Sequence, residues 1–213
     1  MVRDSIAVLV CDQNQSAIFW LLSAVVYYVS LYFTDKWMAN QKPQETLHDR
    51  SFQFLPRRDS FVYLTDGIGI AGAVLLAYWI LLCPDEIYGH AARESLIYSA
   101  IGNYFSASLH SVTLLPCSDH TPSVTPSIIF GGHSDKLMSN HAFHFGLYLR
   151  LLSIVDIFPR EAIPICILVY SGMLSCTRSH YACDIVLAWW ALALVFISAG
   201  FDAPDRDVCM SLI

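Results

Sequence analysis

His180 and Asp184 stand four residues apart at the head of an almost wholly apolar run, residues 185–201, with Arg178 just before them. Residues four apart share a helical face, so the imidazole and the carboxylate can meet across one turn. A carboxylate in that place fixes the tautomer of the imidazole, stabilises its charged form and leaves the other ring nitrogen for chemistry. The same pair can also serve as a helix cap or a structural hydrogen bond, so a second chemical signal is needed. It comes at residues 135–141, where Lys136, Ser139 and His141 precede another apolar run. Two histidines, a carboxylate and nearby cations suit phosphoryl transfer. One imidazole attacks phosphorus with the carboxylate behind it, the second protonates the leaving oxygen, and Lys, Arg and helix N-termini hold the phosphate oxygens.

The elements that must position these groups are apolar. The chain is 55% hydrophobic and 14% charged over 213 residues, with mean hydropathy +0.50, which predicts a membrane protein of one domain. In a spanning helix a carboxylate costs roughly 2.5–3.5 kcal/mol, so Asp184 must face a partner or a watery cavity rather than lipid. The net charge of -6 offers no basic surface to nucleic acid. Seven scattered cysteines without a CxxC pair indicate no disulfide framework. Residues 6–11 are apolar, but Asp12-Gln13-Asn14-Gln15 follows without a small-residue cleavage site, so no removable signal peptide is expected.

Apolar runs and breakers predict an all-α bundle of six transmembrane helices at about residues 17–33, 67–83, 94–115, 137–158, 162–176 and from the His180 stretch to 201. The domains are then a tail at 1–16, a six-span catalytic membrane domain at 17–203 and a tail at 204–213. In such a bundle the loops before the second, fourth and sixth spans emerge on one side. Arg57, Arg58, His141, Arg178 and His180 would share that face, with both termini opposite. The positive-inside rule would put this face in the cytosol, unless its cations serve an anionic substrate instead. Ser139 is placed to cap the fourth span, and Arg150 within that span is expected to snorkel or to pair with Asp156.

At the two His stretches the chain resembles the type 2 phosphatidic acid phosphatase superfamily, and within it the sphingomyelin synthase family of phospho-headgroup transferases. Residues Asp135 to His141 resemble its D-x-x-x-S-G-H motif, with Asn140 where Gly is usual, and His180-Tyr181-Ala182-Cys183-Asp184 matches H-Y-x-x-D. Leu55-Pro56-Arg57-Arg58-Asp59 resembles the family's Pro-Leu-Pro-Asp element, and Thr113-Leu114-Leu115-Pro116 its T-x-L-P. The resemblance implies that His180 is the nucleophile of a phospho-histidine intermediate, that Asp184 activates it, and that His141 is the general acid and then the base. Ser139, Lys136 and Arg178 would contact phosphate. It implies a phospholipid donor, ceramide or diacylglycerol as acceptor, no metal or other cofactor, and an endomembrane (Golgi or ER) or plasma membrane site. The phosphatases carry an Arg six residues before the nucleophile, where this chain has Leu174, and a K-x6-R-P motif that it lacks. The absence of K-x6-R-P favours transferase over lipid phosphate phosphatase.

Two further readings come from other classes. His120, His133, His141, His144 and His180 could hold a metal in a membrane hydrolase, with His141 and His144 as a ligand pair. His144 can equally make a plain hydrogen bond across a helix interface. The third reading is a lipid-binding protein that keeps the fold without catalysis.

Overall fold

The computed structural model describes residues 13–38, 49, 51–83, 87–112, 138–177 and 180–199. Among them the chain is all helical. Six long helices are present: α1 Gln13–Met38, α2 Ser60–Leu82, α3 Ile87–Val112, α4 Asn140–Ile154, α5 Ile163–Thr177 and α6 Ala182–Ala199. Single turns stand at Ser51–Phe54 and Arg160–Ala162.

Pairs across the interfaces fix the helix directions. Asp66 and Gly72 of α2 meet His141 and Tyr148 of α4, so these two run parallel. Ser99 and Glu94 of α3 meet His144 and Arg150, so α3 runs opposite to α4. Trp20 and Ser30 of α1 meet Ser99 and Ala107, which makes α1 parallel to α3. Arg58 and Thr65 meet Cys176 and Tyr170, so α5 opposes α2. Ser139 meets Asp184, and Gly146 lies against Leu192, so α6 follows α4. The bundle therefore alternates up and down, and the N-termini of α2, α4 and α6 share one end.

Helix α4 is the axis of the bundle. It packs on α2, α3, α5 and α6 and is buried almost all the way round. Small residues permit the close approach: a Cβ at Gly72 would strike the ring of Tyr148, and one at Gly146 would strike Leu192. Helix α1 packs chiefly on α3. Its buried face carries Ser16, Ser23 and Ser30 at seven-residue intervals, and Asn103 donates to Ser23 Oγ at 3.2 Å.

Beside an apolar core that includes Phe143, Leu147, Leu174 and Leu192, many polar residues lie inside, and many apolar ones lie outside. Arg93, Glu94, Ser95, Ser99, Asn103 and Ser106 of α3 are buried, whereas Leu21, Val25, Phe33, Val74, Leu81, Leu168, Leu194 and Ile197 are exposed. Among the described residues two helices are long and apolar enough to cross a membrane, over Asn14–Thr34 and Ser60–Leu82, while the apolar stretch Ala182–Ile197 is shorter. With 15 residues each, α4 and α5 are about 22 Å long, less than the roughly 30 Å hydrocarbon layer. Six full-length spans, as the sequence predicts, are thus not what helix length alone supports.

Three local expectations change. Helix α2 starts at Ser60 rather than 67, because Phe61-Val62-Tyr63-Leu64 continue the apolar pattern and Thr65 Oγ1 donates to Val62 O at 2.9 Å. This takes Asp66 out of the loop and into the helix. Helix α4 stops at Ile154, short of 158, in a Schellman cap: Asp156 adopts φ 57, Asp156 N–H donates to Ser153 O at 3.3 Å and Ile157 N–H to Leu152 O at 2.9 Å. Arg150 neither snorkels nor pairs with Asp156. It is fully buried and forms a two-pronged ion pair with Glu94 of α3 at 3.1 and 3.2 Å, its guanidinium flanked by the rings of Tyr98 and Phe196. A guanidinium taken out of water needs that carboxylate, and Glu94 is the one α3 brings to its level.

Candidate active site

The two histidines come from the starts of α4 and α6. Ser139 caps α4, its Oγ accepting Ala142 N–H at 3.3 Å. The Ser139 N–H in turn donates to the main-chain oxygen of Asp184 at 3.1 Å. That bond sets the two helix starts side by side, and the rings of His141 and His180 lie edge to face with centroids 5.8 Å apart. Both are almost fully buried.

Each histidine has its own carboxylate. His180 Nδ1 is 3.8 Å from Asp184 Oδ2, within ion-pair range but beyond a hydrogen bond. Asp184 is fully buried, and its oxygens are engaged locally: Oδ2 accepts Tyr181 N–H at 3.0 Å and Oδ1 accepts Cys183 Sγ–H at 3.2 Å. The first of these bonds is the return half of a capping box, so Asp184 shapes the start of α6 as well as facing the imidazole. His141 Nε2 lies 2.8 Å from Asp66 Oδ1. The sequence reading missed Asp66 because it ended the loop there; an acidic residue at the polar edge of an otherwise apolar span was the available signal.

A second residue missed by that reading is Asp49. Its Oδ2 accepts Ala182 N–H at 2.6 Å and its Oδ1 accepts Ser51 N–H at 2.8 Å, so a carboxylate from the connection between α1 and α2 caps α6 beside His180. Of the expected cations, Arg57 and Arg58 are among the described residues. Arg58 N–H donates to Cys176 O at 2.9 Å, which holds the 55–59 loop against the end of α5, and the exposed Arg57 pairs with Asp59 at 2.7 Å. Lys136 and Arg178 lie outside the described residues, as do 113–116 and the histidines His120 and His133. The Ser139 oxygen accepts as the cap, which leaves its O–H to donate elsewhere.

His144 does not join His141. A carbonyl only accepts, so His144 Nδ1–H donates to Asn140 O at 2.9 Å, and Nε2 then accepts the Ser99 O–H at 2.8 Å. Trp20 Nε1–H donates to Ser99 Oγ at 3.2 Å, completing a polar chain from α1 to the first turn of α4. The two histidines thus turn to different helices, α2 and α3, and not to a common ligand. Among the described residues no three His, Cys, Asp or Glu side chains gather to hold a metal ion.

Compared with family models, with curated proteins and with solved structures, the chain matches none of them.

Proposed function

We propose that this chain is a multi-pass membrane phosphotransferase of the sphingomyelin synthase kind, within the type 2 phosphatidic acid phosphatase superfamily, which moves a phospho-headgroup from a glycerophospholipid to a lipid alcohol such as ceramide or diacylglycerol. The single observation that carries this reading is the pairing of His141 with His180 at 5.8 Å, each backed by a carboxylate, where three helix N-termini meet.

In the first step the His180 nitrogen turned away from Asp184 attacks phosphorus. An N–P bond forms, and the P–O bond to the diacylglycerol oxygen breaks as that oxygen takes the proton of the His141 imidazolium. In the second step His141 takes the proton of the acceptor hydroxyl, whose oxygen attacks phosphorus as the N–P bond breaks. Asp66 stabilises the imidazolium of His141, and Asp184 that of phosphorylated His180. Helix N-termini and Arg58 supply positive potential for the phosphate oxygens. No metal or other cofactor is required by this scheme.

The distribution of residues supports a lipid setting. Apolar side chains cover the outside of α1, α2, α5 and α6, while Arg93, Glu94, Arg150 and several hydroxyl groups are kept within. Six helices would cross, with the short α4 at the inner, protein-lined position, in an endomembrane (Golgi or ER) or the plasma membrane.

The test is expression in cells that lack such activity, fed a fluorescent ceramide or diacylglycerol. A fluorescent product that has gained a phospho-headgroup is the expected result. Dephosphorylation of lipid phosphates without any transfer product would instead make the chain a lipid phosphate phosphatase.

A further inference from the structure

His144 is a buried titratable group that the transfer scheme leaves unused. Its Nδ1–H donates to Asn140 O at 2.9 Å, which leaves Nε2 to face Ser99 Oγ at 2.8 Å. Ser99 Oγ already accepts Trp20 Nε1–H at 3.2 Å, and among the described residues its O–H meets no acceptor but His144 Nε2. A protonated His144 would point an N–H at Ser99 and strand that hydroxyl hydrogen in the interior, where polar groups are nearly always satisfied. The ring is therefore held neutral, in one tautomer and one orientation. The relay continues outward, since Trp20 O accepts the Ser23 O–H at 2.6 Å and Ser23 Oγ accepts Asn103 Nδ2–H at 3.2 Å. Helix α3 comes close to α4 at this level because Gly102 leaves room for the ring of Phe143.

Two helices, α1 and α3, thus grip one carbonyl in the first turn of α4, that of the peptide joining Asn140 to His141. On the neighbouring face of the same turn His141 meets two groups at once, Asp66 of α2 at 2.8 Å and the ring of His180 at 5.8 Å between centroids. A turn free to rotate would keep one of these relationships only at the expense of the other. Resting on the phosphotransferase reading above, we infer that His144 is a positioning residue for the general acid His141: held by Ser99 and Trp20, it fixes the first turn of α4 so that the His141 proton lies on the line to the leaving oxygen. The His144 ring itself touches no reacting atom. Its loss loosens the turn without removing the acid, so proton transfer suffers while attack by His180 does not. A misplacement of about 1 Å costs roughly 10²-fold in rate, and a turn still held by Asp66 and by the cap at Ser139 moves less, which sets the expected loss at about 10-fold.

The experiment compares two donors in the first turnover, with the full chain in vesicles. One is phosphatidylcholine labelled in its phosphate, whose diacylglycerol oxygen needs the His141 proton; label captured on the protein is read. The other is p-nitrophenyl phosphocholine, whose nitrophenolate leaves without a proton; its release is read by absorbance. His144→Phe keeps a planar ring and removes the hydrogen bonds. Ser99→Ala and Trp20→Phe break the same relay from outside α4, and they decide the matter if His144→Phe does not accumulate. Each variant is expected to slow capture from phosphatidylcholine by about 10-fold per folded molecule and to release nitrophenolate at the parental rate. Slowing of both donors by the same factor makes His144 a structural residue, and parental rates with both remove its role; either result overturns the inference. A parent chain that captures phosphate from neither donor fails the phosphotransferase reading itself, and the inference falls with it.

Discussion

Ser139 donates its main-chain N–H to the main-chain oxygen of Asp184 at 3.1 Å, so the two histidine-bearing helix starts are joined by backbone rather than by the groups that would do chemistry. The consequence is that the site can lose a side chain without losing its frame. His141→Ala and His180→Ala should accumulate, insert and elute from a sizing column in detergent as the parent does. Aggregation of both variants would show that the imidazoles hold the bundle together.

Asp66 should matter to turnover through His141. Asp66→Asn keeps the shape but removes the charge that supports the imidazolium, so headgroup transfer should fall, by less than the roughly 10²–10⁴-fold that a general acid–base group contributes. Initial rates of transfer to fluorescent ceramide measure it. Parental rates would mean that the 2.8 Å contact is structural only.

Much of the helical layout was readable because apolar runs and breakers are local signals, and the cap at Ser139 follows from residue type at a helix start. The closeness of His180 and Asp184 also follows from spacing alone. The missing partners are those that pair across helices. Arg150 has an acidic residue six positions on in Asp156, yet it bonds Glu94, which only the antiparallel packing of α3 and α4 brings near. Asp66 and Asp49 were hidden in the same way, since nothing local says that a carboxylate at one helix start serves the histidine or the backbone of another.

The buried Arg150–Glu94 pair makes a test of that packing. Removing one partner strands the other charge, so Arg150→Met or Glu94→Gln alone should destabilise by roughly 3–5 kcal/mol. The double substitution Glu94→Gln with Arg150→Met should recover much of the loss. Thermal midpoints of the four proteins in detergent decide it, and a double variant no better than the singles would show that the pair is not the partner of record for each charge.

At the end of α4, Asp156 holds φ 57, a left-handed conformation that costs an ordinary residue roughly 1–2 kcal/mol. Asp156→Gly should therefore raise the midpoint of unfolding, the gain being reduced by the greater freedom of glycine in the unfolded chain. A fall in the midpoint would argue that the Asp156 side chain holds the turn.

The most direct test of the central claim is capture of donor phosphate on the protein, with the phospholipid labelled in its phosphate and the reaction stopped in detergent at alkaline pH, where a phospho-histidine survives. The account predicts label on the parent chain, none on His180→Ala, and a reduced but measurable amount on His141→Ala, since a proton donor is lost there and not the nucleophile. Label retained on His180→Ala and absent from His141→Ala would contradict it and give the nucleophile's part to the histidine beside Asp66.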